Sequence, residues 1–207
     1  MEQKTKDILT ALFESHSLLS GINDSISQAY HTIAKCYMNN GKVLVCGNGG
    51  SAADAQHIVG ELMKSFVLPR KLPTEDQIYT EYLNSKLQRA LPAISLVNEV
   101  SLMTAFANDT DSSLVFAQQV HGYGEAGDVL LALSTSGNSE NILYAAEVAK
   151  AKKMKVVSFS GQDGGKLKAL SDVSICVPET ETYKIQELHL PIYHALCMAV
   201  ENEFFGE

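Results

Sequence analysis

The chain has no tryptophan, only five prolines and four cysteines in 207 residues. The cysteines, Cys36, Cys46, Cys176 and Cys197, form no CxxC pair, and three of them sit inside apolar runs. They read as reduced, buried thiols, which argues against a disulfide scaffold or a thiolate metal cluster. Basic residues are also scarce: 16 Lys and Arg face 24 Asp and Glu, a formal charge of -8, with no basic block anywhere. That balance argues against a nucleic-acid partner. Long apolar runs are missing too. The longest uncharged stretch, Leu188 to Val200, is interrupted by His189, Pro191 and His194 and falls short of the roughly 18 residues a membrane span needs. Met1 to Asp7 is polar and lacks the apolar segment of a secretory signal, so the expected location is cytoplasmic, with no membrane partner.

What is present is an ordinary globular balance, 45% apolar and 19% charged, far from that of a disordered chain. The length fits a single domain over residues 1–207. Apolar residues recur at helical spacing at Ile8, Leu9, Leu12 and Phe13, and again at Ile26, Tyr30, Ile33 and Tyr37, predicting two N-terminal helices on either side of Gly21. Asn39, Asn40 and Gly41 end the second helix with a left-handed cap. Short apolar runs follow at Lys42–Cys46, Ala93–Val97, Asp128–Leu133, Lys155–Phe159 and Val173–Val177, separated by helical stretches. Such a rhythm predicts an α/β fold, a five-stranded parallel sheet between two helical layers. Residues 69–91 break it with two prolines and an amphipathic helix carrying Ile78, Tyr79, Tyr82, Leu83 and Leu87, read as an added surface helix, an oligomer contact or a pocket lid. Tyr183 to Phe205 reads as a C-terminal helix disturbed by Pro191.

Ligands of open parallel sheets bind beyond the carboxyl ends of the strands. The first strand runs into Gly47, Asn48, Gly49, Gly50 and Ser51, the third into Ser134, Thr135, Ser136, Gly137, Asn138 and Ser139, and the fourth into Gly161, Gln162, Asp163, Gly164 and Gly165. Glycines that turn backbone N–H groups inward, hydroxyl donors and helix N-termini together describe an anion cradle, and a phosphate is the anion that suits it best. Gly47, Gly49 and Ala52 also satisfy a dinucleotide pattern, but the second strand ends near Val97, far beyond the ~20 residues at which that fold places its acidic residue. No P-loop sequence occurs. In the helix after the first loop, His57 and Glu61 are four residues apart and share one face, a spacing that suits a shared proton path or a metal. Gln186, His189 and His194 are the polar candidates of the C-terminal helix.

The segments GNGGSAADAQH (Gly47 to His57), AND (Ala107 to Asp109), GDVLLALSTSGNS (Gly127 to Ser139), GQDGGK (Gly161 to Lys166) and IQELH (Ile185 to His189) resemble the sugar isomerase (SIS) domain family over nearly the whole chain, residues 69–91 looking like an insertion. Within that family the likeness is to the branch acting on sedoheptulose 7-phosphate. The resemblance implies a flavodoxin-like α/β/α domain and a homotetramer with active sites at subunit interfaces. It also implies an aldose–ketose isomerase of phosphorylated sugars that needs no organic cofactor. Carried over by motif, Ser134, Thr135, Ser136 and Ser139 would hold the phosphate, and Asn48, Gly49, Gly50, Ser51, Asn108 and Asp109 would line the sugar site, with Gln186 among the substrate contacts. Glu61 and His194 match the acid/base pair, and a zinc ion is implied at His57, Glu61, Gln186 and His194.

Such an isomerase moves a proton between neighbouring carbons through an enediolate, for which a carboxylate and an imidazole are suited in either order of roles. Two departures stand out. Lys64 takes the place where the family often has an arginine, and Gln186 and His194 on one straight helix would be about 12 Å apart, which makes His189 a rival ligand by spacing. The alternatives are a non-catalytic sugar-phosphate or protein-binding module of the same family, an isomerase for another ketose phosphate, and, from the glycine pattern alone, a dinucleotide oxidoreductase.

Overall fold

The structure, a computed structural model, describes residues 3–206. Within them the chain opens with α1 (Gln3–Ser15), a 3-10 turn over Ser17–Ile22 and α2 (Asn23–Met38). Asn40, at φ 58°, is the left-handed residue that ends α2, a conformation asparagine tolerates better than most side chains. The chain then alternates β1 (Val43–Gly47), α3 (Gly50–Met63), a 3-10 turn at Thr74–Asp76, α4 (Glu81–Lys86), β2 (Ala93–Ser95) and α5 (Val100–Phe106). A π turn at Ala107–Asp111 and a 3-10 turn at Ser112–Leu114 lead to α6 (Val115–Tyr123), β3 (Val129–Leu133), α7 (Glu140–Ala151), β4 (Lys155–Ser160), α8 (Leu167–Leu170), β5 (Val173–Cys176) and α9 (Thr182–Phe205).

The five strands are all parallel in the order β2-β1-β3-β4-β5. Alternate residues of the buried strands feed two cores. Val43, Val45, Val129, Leu131, Val157 and Phe159 pack under α1, α2, α3 and α9. Leu44, Cys46, Leu130, Ala132 and Val156 pack under α6, α7 and Leu167 of α8. This is the expected three-layer sandwich, and its order reverses between β1 and β3, where the loops after both strands open side by side. The four cysteines are free thiols, and burial pushes Cys36 to about 11 and Cys46 and Cys197 to about 12.

Two expectations change. Pro191 lies inside α9 without ending it, because the helix is buried along the core both before and after the proline, at Ile185, His189, Ile192, Leu196 and Val200. Packing of that extent sustains a helix through one missing backbone donor. The helix within residues 69–91 is only six residues long, Glu81–Lys86, capped by Thr80; Ile78 and Tyr79 precede it and Leu87 follows it, and the apolar residues of the segment are exposed, Ile78 at 78% and Tyr82 at 70%.

Candidate active site

At the reversal point the chain leaves β1 through Gly47, and Gly49, at φ 57°, turns it into α3, while β3 leads through Ser134 to Ser139 into α7. Two helix N-termini thus meet at adjacent strand ends, each with first-turn N–H groups that have no partner inside the helix. The hydroxyls are organised around them. Ser134 Oγ donates to Ser139 Oγ at 3.0 Å, Asn138 N–H donates to Ser136 Oγ at 3.1 Å, and Ser51 N–H donates to Asn48 O at 3.0 Å. A cleft of about 340 Å³ beside this loop is lined by Thr135, Ser136, Asn138, Gly161, Gln162 and Thr180, among others. Sequence reasoning missed one partner here. Asn48 and Asn141 exchange two amide hydrogen bonds, 2.9 Å each, fixing Asn48 at the mouth of the cradle. The GNSEN stretch held the signal, since Asn141 lies in the first turn of α7 and so faces the neighbouring strand end.

The fourth-strand loop plays a different part from the donor role read from its glycines. An added Cβ on Gly137 would lie 2.0 Å from Gly164 O, and one on Gly165 would lie 2.5 Å from Ser136 O. The two loops touch backbone to backbone, and the glycines of 161–165 serve as a buttress for the serine loop.

Gln186 belongs to this end of the molecule. Its amide lies against Gly50, where a Cβ would sit 2.5 Å from Gln186 Nε2. Asn108 and Asp109 lie in the exposed π turn and hydrogen bond to each other at 2.8 Å; no bond joins them to the serine loop.

The acid/base candidates gather further along α3. His57 Nε2 is 3.3 Å from Glu61 Oε1 and 3.4 Å from His194 Nε2, and Lys64 Nζ donates to Glu61 Oε2 at 2.6 Å. Lys64 therefore pairs with the Glu61 carboxylate, a contact the sequence reading did not give. Two further residues complete the group. Tyr193 Oη donates to Asp54 Oδ1 at 3.2 Å and lies 3.0 Å from His57 Nδ1. Burial raises the Asp54 carboxyl above its ordinary value, against the Tyr193 hydrogen bond and the nearby His57. The His194 imidazole is lowered by burial and by neighbouring His57, with Glu61 pulling the other way, which favours its uncharged form.

Helix rise separates the two groups: Gly50 to Glu61 along α3 is about 16 Å, and Gln186 to His194 along α9 about 12 Å. Gln186 lies within the regular helix, so the four side chains implied for zinc do not converge in one chain. Among the described residues no group of three or more His, Cys, Asp or Glu is arranged to hold a metal ion. One chain thus gathers His57, Glu61 and His194 but not Gln186, so the four-ligand set implied for zinc is incomplete within it.

His189, the rival by spacing, points elsewhere. It is fully buried, edge-on to Phe159, with Nε2 3.3 Å from Ser160 O, and so supports the end of β4. Burial pushes its imidazole down to about 4, from an ordinary 6.5. Because the folded value is the lower one, the unfolded chain binds the extra proton. Stability from the neutral ring is full above pH 6.5, falls as pH drops from 6.5 to 4, and is lost below, a change of about 3 kcal/mol. Urea midpoints measured from pH 7.5 to 4 in wild type and His189→Gln should show this slope in wild type alone; equal slopes would refute the assignment.

Comparison with known proteins agrees with this architecture. The SIS domain profile matches residues 14–161. A phosphoheptose isomerase of Helicobacter pylori (strain ATCC 700392 / 26695) is 43% identical over 186 residues, covering 90% of this chain and 88% of that protein. One from a Nitratiruptor species is 45% identical over 166 residues, covering 80% and 79%. Among solved structures, phosphoheptose isomerase GmhA from Neisseria gonorrhoeae superposes with a TM-score of 0.75 at 36% identity, covering 95% of this chain and 94% of that one. A phosphoheptose isomerase from Francisella tularensis gives 0.77 at 35%, covering 96% and 98%. With that profile matched over most of its length and relatives this similar along nearly all of it, the chain belongs to the SIS domain family.

Proposed function

We propose that this chain is an aldose–ketose isomerase of phosphorylated sugars that converts sedoheptulose 7-phosphate to D-glycero-D-manno-heptose 7-phosphate. The observation that carries the reading is a carboxylate and an imidazole, Glu61 and His194, gathered around His57 in a chain whose serine loop and paired helix N-termini suit a phosphate dianion. The phosphoheptose isomerases it resembles make a heptose phosphate the favoured substrate.

The phosphate anchors at Ser134, Thr135, Ser136 and Ser139, where helix dipoles and hydroxyls balance its charge. Asn48, Gly49, Gly50, Ser51, Asn108, Asp109 and Gln186 line the sugar. Glu61 removes a proton from carbon 1 of the ketose and returns it to carbon 2. His194 moves the proton between the two oxygens, so the enediolate collapses to the aldose with no net loss of hydrogen. Lys64 and His57 keep the Glu61 carboxylate oriented.

The separation of about 16 Å along α3 means that the cradle and the acid/base pair of one chain do not serve one sugar together. A second copy completes each site, which fits the homotetramer implied by the family resemblance. Free cysteines agree with a cytoplasmic setting, and the whole chain, 1–207, serves as one SIS domain with residues 69–91 inserted in it.

The test is direct. Purified protein is incubated with sedoheptulose 7-phosphate, aldose formation is followed, and a chelator is added in a parallel series. Turnover is expected; an inert substrate beside turnover of another ketose phosphate would remove the heptose assignment and leave the isomerase. Loss of turnover with chelator would mean that a metal is held by side chains of more than one copy. Mixed assemblies of Glu61→Gln and Ser134→Ala chains should recover part of the activity that each lacks alone. No recovery would contradict shared sites.

A further inference from the structure

Arg70 stands 1% exposed and Glu201 fully buried, an ion pair with Nε 2.8 Å from Oε1. Burying two charges is costly unless every lone pair and proton is matched, so the partners tell what the pair is for. Arg70 Nη1 donates to Leu62 O at 2.6 Å and Nη2 to Glu61 O at 3.1 Å. These carbonyls belong to the last turn of α3, which has no helical donors left for them. Glu201, on α9, accepts the backbone N–H groups of Phe66, Val67 and Leu68 at 2.8, 2.8 and 3.1 Å. The Arg70 guanidinium lies over the Phe205 ring at 4.8 Å, and Arg89 lies at 4.8 Å from the same ring. One buried pair therefore ties the end of the helix carrying Glu61 to the helix carrying His194, two turns beyond that histidine. His194 and Tyr193 also reach α3, at His57 and Asp54, but those contacts lie nearer its middle; the Arg70–Glu201 pair is the tie at its last turn.

We propose that Arg70 is a positioning residue for the acid/base pair, its guanidinium, held by Glu201, fixing the last turn of α3 against α9 so that Glu61 and His194 keep their relative placement. The inference rests on the isomerase reading; Arg70 itself touches no reacting group. It separates catalysis from binding, because the cradle lies at the opposite end of α3.

The experiment compares wild type, Arg70→Lys and Phe205→Leu for kcat and KM with sedoheptulose 7-phosphate, for inhibition by inorganic phosphate, and for Tm. Lysine keeps the charge but loses the fork that reaches Glu201 and two carbonyls at once. With misplacements near 1 Å, R70K should lose roughly 10- to 100-fold in kcat while KM and phosphate inhibition stay within about twofold, at temperatures where the protein is folded. Amide hydrogen exchange over residues 61–68 should be faster in R70K. A fall in Tm with kcat within about twofold of wild type would overturn the proposal, since a purely structural pair moves stability alone. If R70K does not fold, F205L decides: it removes the ring on which the guanidinium rests and so loosens the fork against α3, and lowered kcat at constant KM supports positioning while unchanged kcat overturns it. Absence of turnover in wild type would sink the isomerase reading and this proposal with it, whereas an active wild type matched by R70K sinks this proposal alone.

Discussion

Glu61→Gln should lower kcat by about 10³-fold, the usual contribution of a positioned general base, while KM changes little. The amide keeps the size of the side chain and an oxygen for Lys64, now 2.6 Å from Glu61 Oε2, so the helix and its neighbours are spared. What is lost is the lone group placed to take a proton from carbon. KM is protected because, on the isomerase reading, the phosphate is gripped by the serine loop and the helix N-termini and not by Glu61. Steady-state kinetics on sedoheptulose 7-phosphate, with wash-in of solvent deuterium into the substrate as a second measure of carbon deprotonation, provide the check. Turnover near the wild-type level would remove Glu61 as the base, and deuterium wash-in retained without product would move it to a later proton transfer.

Gly137→Ala is the second large effect, and it concerns the cradle. Gly137 holds φ 61°, and its missing side chain lets Gly164 O approach to 2.0 Å from where a Cβ would stand. The opposing atoms are backbone, so they do not swing aside. A left-handed alanine costs about 1–2 kcal/mol, and overpacking adds about 1–3, so a loss of about 3 kcal/mol is expected. The serine loop has to move away from 161–165 to accommodate it, and Ser134, Ser136 and Ser139 lose their common orientation. Urea unfolding reads the first effect, and protection of the protein by inorganic phosphate reads the second. An alanine variant with wild-type stability and wild-type phosphate protection would show that the contact between the loops carries no weight. The glycines of the fourth-strand loop then need another explanation.

The strands and the ends from which function is presented were open to sequence reading. β1 and β3 are apolar throughout, and β4 is buried from Val156 to Ser160, because both of their faces are covered, and the turns that follow them are rich in Gly, Ser and Asn because the chain must double back there. His57 and Glu61 were paired by helical period alone, and the structure places them 3.3 Å apart. The resemblance added His194, whose Nε2 lies 3.4 Å from His57 Nε2.

Local pattern gave no access to contacts between distant elements. His189 and His194 are both histidines of one apolar helix, but five residues turn the second about 140° from the first. Only the packing of α9 shows that His189 faces β4 and His194 faces α3. Arg70 and Glu201 are 131 positions apart, and nothing in either neighbourhood announces a buried pair. Periodicity and composition are set by each segment's own solvent exposure, so they reveal strands, helices and turns. Which side chains meet, and how far the phosphate cradle lies from the acid/base pair, depends on how whole helices dock on the sheet, and that was decided by the tertiary structure.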